Sequence, residues 1–339
     1  MKTRDFFFDL PPELIAQHPP ETRGESRMMT VDRRSGRIGH GMVRDLPDLL
    51  PPGTLAVFND SRVRKARLFG RAGDTGGRAE FLLLKSPDGL VWRVMSNRRR
   101  RLVPGRVFLF PEGLEAVVTD GAGNGPLLRF SRPVTEEYLD RCGHVPLPPY
   151  IRREDEPRDA ERYQTVYARV PGSVASPTAG LHFTPEILGR MDRRGIRRLT
   201  VTLHVGPGTF LPVRSENIED HVMHREDYSL EPVVAEEIAA GKARGVPILA
   251  VGTTSVRVLE SSWGEGGPVP GSGSTEIFIY PGYRFRGADM IFTNFHVPRS
   301  TLFMLVCAFG GTDLMRHAYR EAVREGYRFF SYGDGMLIF

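Results

Sequence analysis

Between residues 66 and 150 the chain is a series of short strand-like runs broken at close intervals, and this texture restricts the segment to an all-β unit. The runs are Ala66–Phe69, Ala79–Leu84, Val91–Met95, Val107–Phe110, Leu114–Val118 and Leu127–Phe130, with Gly, Asp, Asn and Pro between them. Regular short strands with turns between them predict a small β-barrel or sandwich. The flanking sequence reads differently. Val31 and Ile38 flank an Asp32–Gly36 turn as a hairpin would, and Thr54–Phe58 is a short apolar strand. Beyond residue 151 helical and strand signals alternate. Thr184, Pro185 and Gly195 mark the cap, first turn and stop of one helix, followed by an alternating strand at Leu199–Leu203. Pro232–Arg244 is a helix closed by Gly245, and Val246–Val251 is a buried strand running into another helix. Strands are expected at Thr275–Tyr280, Met290–Phe292 and Tyr327–Ser331, and helices at Ser300–Phe309 and Asp313–Glu325. The expected architecture is an α/β, sandwich-like body (1–65 and 151–339) carrying an inserted small all-β barrel domain (66–150).

Composition narrows the function. With 339 residues, 40% apolar content and a mean hydropathy of −0.28, the chain can bury a real core but offers no long apolar run for a transmembrane helix. The first ten residues are interrupted by acids, unlike a signal peptide, and Cys142 and Cys307 are too few for a disulfide framework or a cysteine zinc site. A cytoplasmic monomer without membrane attachment is the expectation. Charge is uneven: residues 61–106 hold 13 Lys/Arg against 3 Asp/Glu, a net of +10, which leaves −5 for the rest of the +5 chain. Such a lopsided field usually meets a polyanion. A solvated surface is the plain alternative for any single run, but Arg98–Arg101 together with Ser61–Arg67 favours nucleic acid.

Against that charged background, two stretches are neutral and rich in Gly and hydroxyls. One runs from Ser173 to Phe183 and contains His182; the other runs from Leu199 to Val213 and contains His204, 22 positions on. His182 lies just before a helix N-terminus, where unpaired amides point outward. His204 lies where a strand enters Gly206-Pro-Gly208, and loops at strand carboxyl ends are where open α/β sheets build sites. Gly252-Thr-Thr-Ser255 sits between strand and helix as an anion cradle does, but is neither a Walker A loop nor part of a Gly-x-Gly-x-x-Gly motif. Phe292–Pro298 adds Asn294 and His296, and Asp334 in the last turn could reach the same sheet edge. An imidazole and a carboxylate in a closed pocket are natural proton-transfer groups. Any one of these histidines alone reads more plainly as a hydrogen-bonded structural residue; the case rests on four polar loops near 180, 206, 254 and 295.

Taken in order, these blocks closely resemble the S-adenosylmethionine:tRNA ribosyltransferase-isomerases of queuosine synthesis. The resemblance covers essentially the whole chain, from Phe8–Pro19 through Asn59–Val63, Arg162–Tyr167, Pro177–Phe183, Leu203–Phe210, Val251–Arg257, Tyr280–Gly282 and Asn294–Pro298 to Tyr332–Asp334. Glu276 stands where the family usually has Asp, and Gly335 where Ala is common. The resemblance implies an α/β body with an inserted barrel. It also implies transfer and isomerisation of the ribosyl part of S-adenosylmethionine onto 7-aminomethyl-7-deazaguanine in the tRNA wobble position, giving epoxyqueuosine, adenine and methionine. S-adenosylmethionine is then a consumed substrate, and no metal or redox cofactor is implied. Within that reaction, His182, His204 and Asp334 are the candidates for proton transfer, with Glu276 behind them. Ser176, Thr178, Gly180, Gly206, Gly208, Thr209, Gly252, Thr253, Thr254, Arg257, Asn294 and His296 are the candidates for binding S-adenosylmethionine, the Gly252 turn taking the methionine carboxylate. Arg62, Arg64, Lys65, Arg67, Arg98, Arg99, Arg100 and Arg101 are the candidate phosphate contacts.

Three rival readings stand beside this one. A tRNA methyltransferase would release S-adenosylhomocysteine. A metal hydrolase would use His221, His224 and Glu226, although their spacing is wrong for a helical His-Glu-x-x-His site. A catalytically idle RNA-binding module would have little need for the neutral loops.

Overall fold

The structure, a computed structural model, describes residues 1–98, 100, 102–121, 125–210 and 213–339; for Thr209 and Phe210 it describes the backbone alone. The chain divides into two compact units. One comprises Met1–Arg62, Pro148–Arg153 and Arg162–Phe339; the other comprises Val63–Leu147 and Glu154–Glu161.

The second unit contains all six strands anticipated between residues 66 and 150: Arg67–Ala72, Arg78–Lys85, Val91–Ser96, Val107–Leu109, Glu115–Thr119 and Leu127–Phe130. They pair antiparallel and close into a barrel. Alternate residues point inward, so Leu68, Phe81, Leu83, Trp92, Val94, Phe108, Val118 and Leu128 are buried. Gly70 is required on the inner side, because a Cβ there would lie 2.9 Å from the Phe110 ring. Segment 154–161 belongs to this unit through Asp155, which accepts from Arg67 Nη2 at 2.7 Å and from the Val145 amide at 3.1 Å.

The first unit is built on one sheet of nine strands. In spatial order these are Gly271–Thr275, Glu226–Leu230, Arg197–Leu203, Leu55–Asn59, Ile248–Val251, Met290–Asn294, Gly335–Ile338, Arg27–Val31 and Ile38–Met42. The four from Arg197–Leu203 to Met290–Asn294 run parallel. Both faces of the sheet are covered, and the side-chain period of two divides each central strand between two cores. Leu55, Val57, Ile248, Ala250 and Ile291 join one core, together with Ile238, Val258, Phe303 and Tyr319 from the helices Pro232–Ala243, Thr253–Ser262, Thr301–Gly310 and Thr312–Arg324. Ala56, Phe58, Leu249, Val251 and Phe292 join the other, under Ile187, Leu188 and Met191 of the helix Pro185–Arg193. That helix starts as its sequence predicts, with Thr184 Oγ1 accepting from the Ile187 amide at 3.2 Å.

Two expected strands are displaced. Thr275–Tyr280 is not a strand; the ladder ends at Thr275, whose Oγ1 accepts from the Ile277 amide at 3.1 Å and turns the chain out of the sheet. The apolar run after it packs irregularly on the core instead. Tyr327–Ser331 is also not a strand. Tyr327 and Phe329 are buried, but Phe330 has a φ of 72°, so the chain turns and the final strand forms only at Gly335–Ile338.

Candidate active site

Because four central strands run parallel, their last residues reach one edge of the sheet, and the segments that follow them meet there. The strand Gly335–Ile338 runs antiparallel to Met290–Asn294, with Gly335 paired to Asn294, so the turn preceding Gly335 arrives at the same edge. A cavity at this edge is walled by Ser176, Thr178, Val205, Gly252, Thr253, Thr254, Asn294 and His296 together with Tyr150, Phe330 and Ser331. No charged side chain is among its described lining residues. The polar loops near 180, 254 and 295 therefore converge, and the loop near 206 contributes through Val205.

Local geometry explains several of these positions. Gly252 has a φ of 87°, the left-handed conformation that lets strand Ile248–Val251 turn at once into helix Thr253–Ser262. Its amide donates to Phe292 O at 2.7 Å, and Ser255 Oγ donates to Val251 O at 2.8 Å. The hydroxyls of Ser176 and Thr254 are buried and have no partner among the described residues, although both residues line the cavity. Buried hydroxyls are normally satisfied, so this pair is suited to a bound polar molecule. Thr178 Oγ1 donates to Asn294 Oδ1 at 3.0 Å, and Asn294 Nδ2 lies 3.0 Å from His182 Nε2. With the amide oriented by Thr178, Asn294 donates and His182 Nε2 accepts, so the imidazole proton belongs on Nδ1. Burial, reinforced by the charge of Arg23, lowers the His182 pKa to about 4, so the ring is neutral at physiological pH. His296 is also held neutral by burial, at about 3, with its ring 3.0 Å from Thr293 Oγ1.

The other candidates occupy varied places. His182 does not line this cavity but stands behind Asn294, beside a smaller one walled by Pro19, Gly24, Tyr332 and Gly333. The His204 ring lies against Gly172, where a Cβ would come within 2.6 Å of it. Asp334 is buried, which raises its pKa, and its two oxygens accept from the Arg27 and Arg328 amides at 2.9 and 2.8 Å. Glu276 is exposed and lies outside the lining. Arg257 does not line the cavity either; it forms a buried ion pair with Glu226, whose other oxygen accepts from the Gly206 amide at 2.8 Å. Gly180 packs closely on Tyr167 and Gly208 on the His224 ring, so neither has room for a Cβ. The side chain of Thr209 lies outside the described residues. His221 rests on the Phe278 ring, and among the described residues no group of three or more His, Cys, Asp or Glu is placed to hold a metal ion.

The basic residues divide similarly. Arg62, Arg98 and Arg100 are exposed, while Arg99 and Arg101 lie outside the described residues. Arg64 pairs with Glu136, Lys65 donates to Asp140 O at 2.9 Å, and Arg67 holds Asp155. These three stabilise their own unit. Sequence reasoning missed Tyr150 and Phe330 altogether. Tyr150 closes a proline-rich run and Phe330 follows Phe329 in a final aromatic cluster, but nothing local joins two residues so far apart in the chain.

An uncharged cavity of apolar side chains and hydroxyls at the carboxyl ends of parallel strands, on a chain that also contains a closed antiparallel barrel, has the character of the small-molecule sites of α/β enzymes. More particularly, the chain belongs to the queuosine biosynthesis protein family, whose model matches residues 3–338. It is 52% identical to the S-adenosylmethionine:tRNA ribosyltransferase-isomerase of Anaeromyxobacter dehalogenans strain 2CP-1, covering 100% of this chain and 99% of that one. It is 48% identical to the enzyme of the same name from Treponema denticola, with both chains fully covered. Among solved structures it is similar to the S-adenosylmethionine tRNA ribosyltransferase of Thermotoga maritima, with a TM-score of 0.58 and 34% identity over 99% of this chain and 100% of that one.

Proposed function

We infer that this protein transfers and isomerises the ribosyl moiety of S-adenosylmethionine onto 7-aminomethyl-7-deazaguanine at the wobble position of tRNA, releasing adenine and methionine. The carrying observation is the full-length identity of about half to relatives bearing that activity in their names. The uncharged cavity supports the same reading, because the unpartnered hydroxyls of Ser176 and Thr254 on its wall suit a bound polar molecule. S-adenosylmethionine is consumed rather than recycled, and neither a metal nor a redox cofactor enters the scheme. We place it in the cytoplasm with its tRNA substrate, as a monomer. Among its described residues no helix is long and apolar enough to cross a membrane.

Physical chemistry sets the tasks. The sulfonium acidifies the C5′ hydrogens, so a neutral base can open the reaction, and adenine leaves more readily when protonated. His182, held neutral by burial, and His204 are the first candidates; the Nε2 lone pair of His182 accepts from Asn294, so that contact opens before His182 takes a proton. Asp334 stands beside them, with one backbone amide on each of its oxygens, and Glu276 stands behind because it is exposed. Ser176, Thr254 and the Gly252 turn take the polar end of the substrate. The exposed cations Arg62, Arg98 and Arg100 are the first candidates for tRNA phosphate.

The test is to incubate the protein with S-adenosylmethionine and tRNA carrying the aminomethyl-deazaguanine, then weigh the digested nucleoside and chromatograph the small products. Adenine and methionine in equal amounts are expected. Release of S-adenosylhomocysteine would instead identify a methyltransferase. Single-turnover adenine release by Ala or Asn variants of His182, His204, Asp334 and Glu276 then assigns the proton carriers; near wild-type rates would remove a residue from the mechanism.

A further inference from the structure

The cavity has an aromatic wall for which proton transfer has no use. The rings of Tyr150 and Phe330 stack with centroids 4.0 Å apart and planes 19° from parallel, and both residues line the cavity. The Tyr150 hydroxyl is anchored 2.5 Å from Ser331 Oγ, and its carbonyl accepts from Gln17 Nε2 at 2.9 Å. Phe330 is held by its backbone. Its φ of 72° is a left-handed conformation that is costly for a bulky L-residue and comfortable for glycine.

The surrounding turn imposes that conformation. The Phe330 amide donates to Phe295 O, and the Gly333 amide to Phe330 O, each at 3.0 Å. Asp334 gathers the Arg328 and Arg27 amides, and at Gly333 a Cβ would fall 2.4 Å from Arg328 O. Strain of this kind clusters at ligand clamps, where the surrounding structure over-determines it. A phenylalanine kept where glycine would sit more easily points to a use for its ring.

We propose that Tyr150 and Phe330 form the stacking wall for the adenine of S-adenosylmethionine. This deepens the function inferred above and rests on it. Two nearly parallel rings continue naturally into a third flat one, and a neutral heterocycle suits a wall without charged side chains. The unpartnered hydroxyls of Ser176 and Thr254 on the same cavity serve the polar parts of the same molecule. The competing use of an aromatic wall is to face the sulfonium as a cation over a ring.

Equilibrium binding, with saturating tRNA that lacks the aminomethyl group added where the free protein does not bind, separates the two. S-adenosylmethionine and its uncharged analogue S-adenosylhomocysteine share the adenine and differ in the positive sulfur. Phe330→Gly removes the ring and relaxes the backbone but forfeits the ring's packing on the core, so thermal unfolding checks that the variant is folded at the assay temperature. Whichever of Phe330→Gly and Tyr150→Leu removes the ring in contact with adenine should weaken both ligands alike, by roughly 5- to 150-fold, the other variant less, and Tyr150→Phe should bind nearly as the parent does. Unchanged affinity for both ligands in Phe330→Gly and Tyr150→Leu would overturn the proposal. Loss confined to S-adenosylmethionine would also overturn it, in favour of the sulfonium. A parent protein that binds neither ligand, alone or with saturating tRNA lacking the aminomethyl group, would defeat the functional reading itself, and the proposal with it.

Discussion

Replacing Glu226 by Gln should destabilise the α/β unit far more than its change of a single atom suggests. Glu226 is 4% exposed and Arg257 5%, and each is the other's ion-pair partner. Arg257 Nε and Nη2 have no partner among the described residues, so the carboxylate carries most of the compensation for burying that guanidinium. Glutamine keeps the shape and can still accept from the Gly206 amide, which leaves charge as the perturbation. Removing one partner of a buried pair costs about 3–5 kcal/mol, because the remaining charge stays out of water. For a unit of this size that corresponds to a drop in melting temperature of about 6–20 °C. The assay is unusually clean, because the chain has two tryptophans. Trp92 lies in the barrel core, and Trp263 directly follows the helix that bears Arg257. A Trp92→Phe background therefore lets Trp263 fluorescence report on the α/β unit alone. Adding Arg257→Met to Glu226→Gln should recover most of the loss, since an apolar side chain needs no counter-charge. A Glu226→Gln protein melting within about 1 °C of its parent would refute the argument.

Three further outcomes follow from the same geometry. Burial pushes His182 down to about 4 and His296 down to about 3, below the ordinary value of 6.5. Their contribution to stability is thus complete above pH 6.5 and is lost as pH falls toward 4, at up to about 1.4 kcal/mol per histidine per pH unit; urea midpoints across that range measure it, and His296→Gln should flatten the slope. Gly252→Ala forces an alanine into an essentially glycine-only conformation at the strand–helix turn and should cost about 1–3 kcal/mol in the same denaturation assay, together with weaker S-adenosylmethionine binding. Reversing the charges of Arg62, Arg98 and Arg100 should weaken tRNA binding and flatten its dependence on log salt by roughly 0.7–0.9 for each phosphate no longer neutralised, whereas an unchanged slope would put the RNA footprint elsewhere.

Much of this protein could be read from local pattern. The six barrel strands were legible because side chains alternate inward and outward along each and turn residues separate them, both properties of a few consecutive residues. The helix beginning at Pro185 and the turn at Gly252 were legible for the same reason, since caps and left-handed glycines are chosen within one turn of chain. So was the convergence of three neutral loops, because each follows or borders a strand that sequence pattern alone reveals. Tertiary structure alone decided which partner each polar group found. Asp334 accepts two backbone amides and Arg257 is paired with Glu226, partners that no local pattern names. The basic run was legible as charge, but Arg64 and Arg67 are partnered within their own unit while Arg62 is exposed. The aromatic wall is the extreme case, because Tyr150 meets Ser331 across 181 positions. Periodicity and capping act over one or two turns of chain, whereas the pairing of a buried ring or charge is settled by whatever the closed sheet brings to its edge.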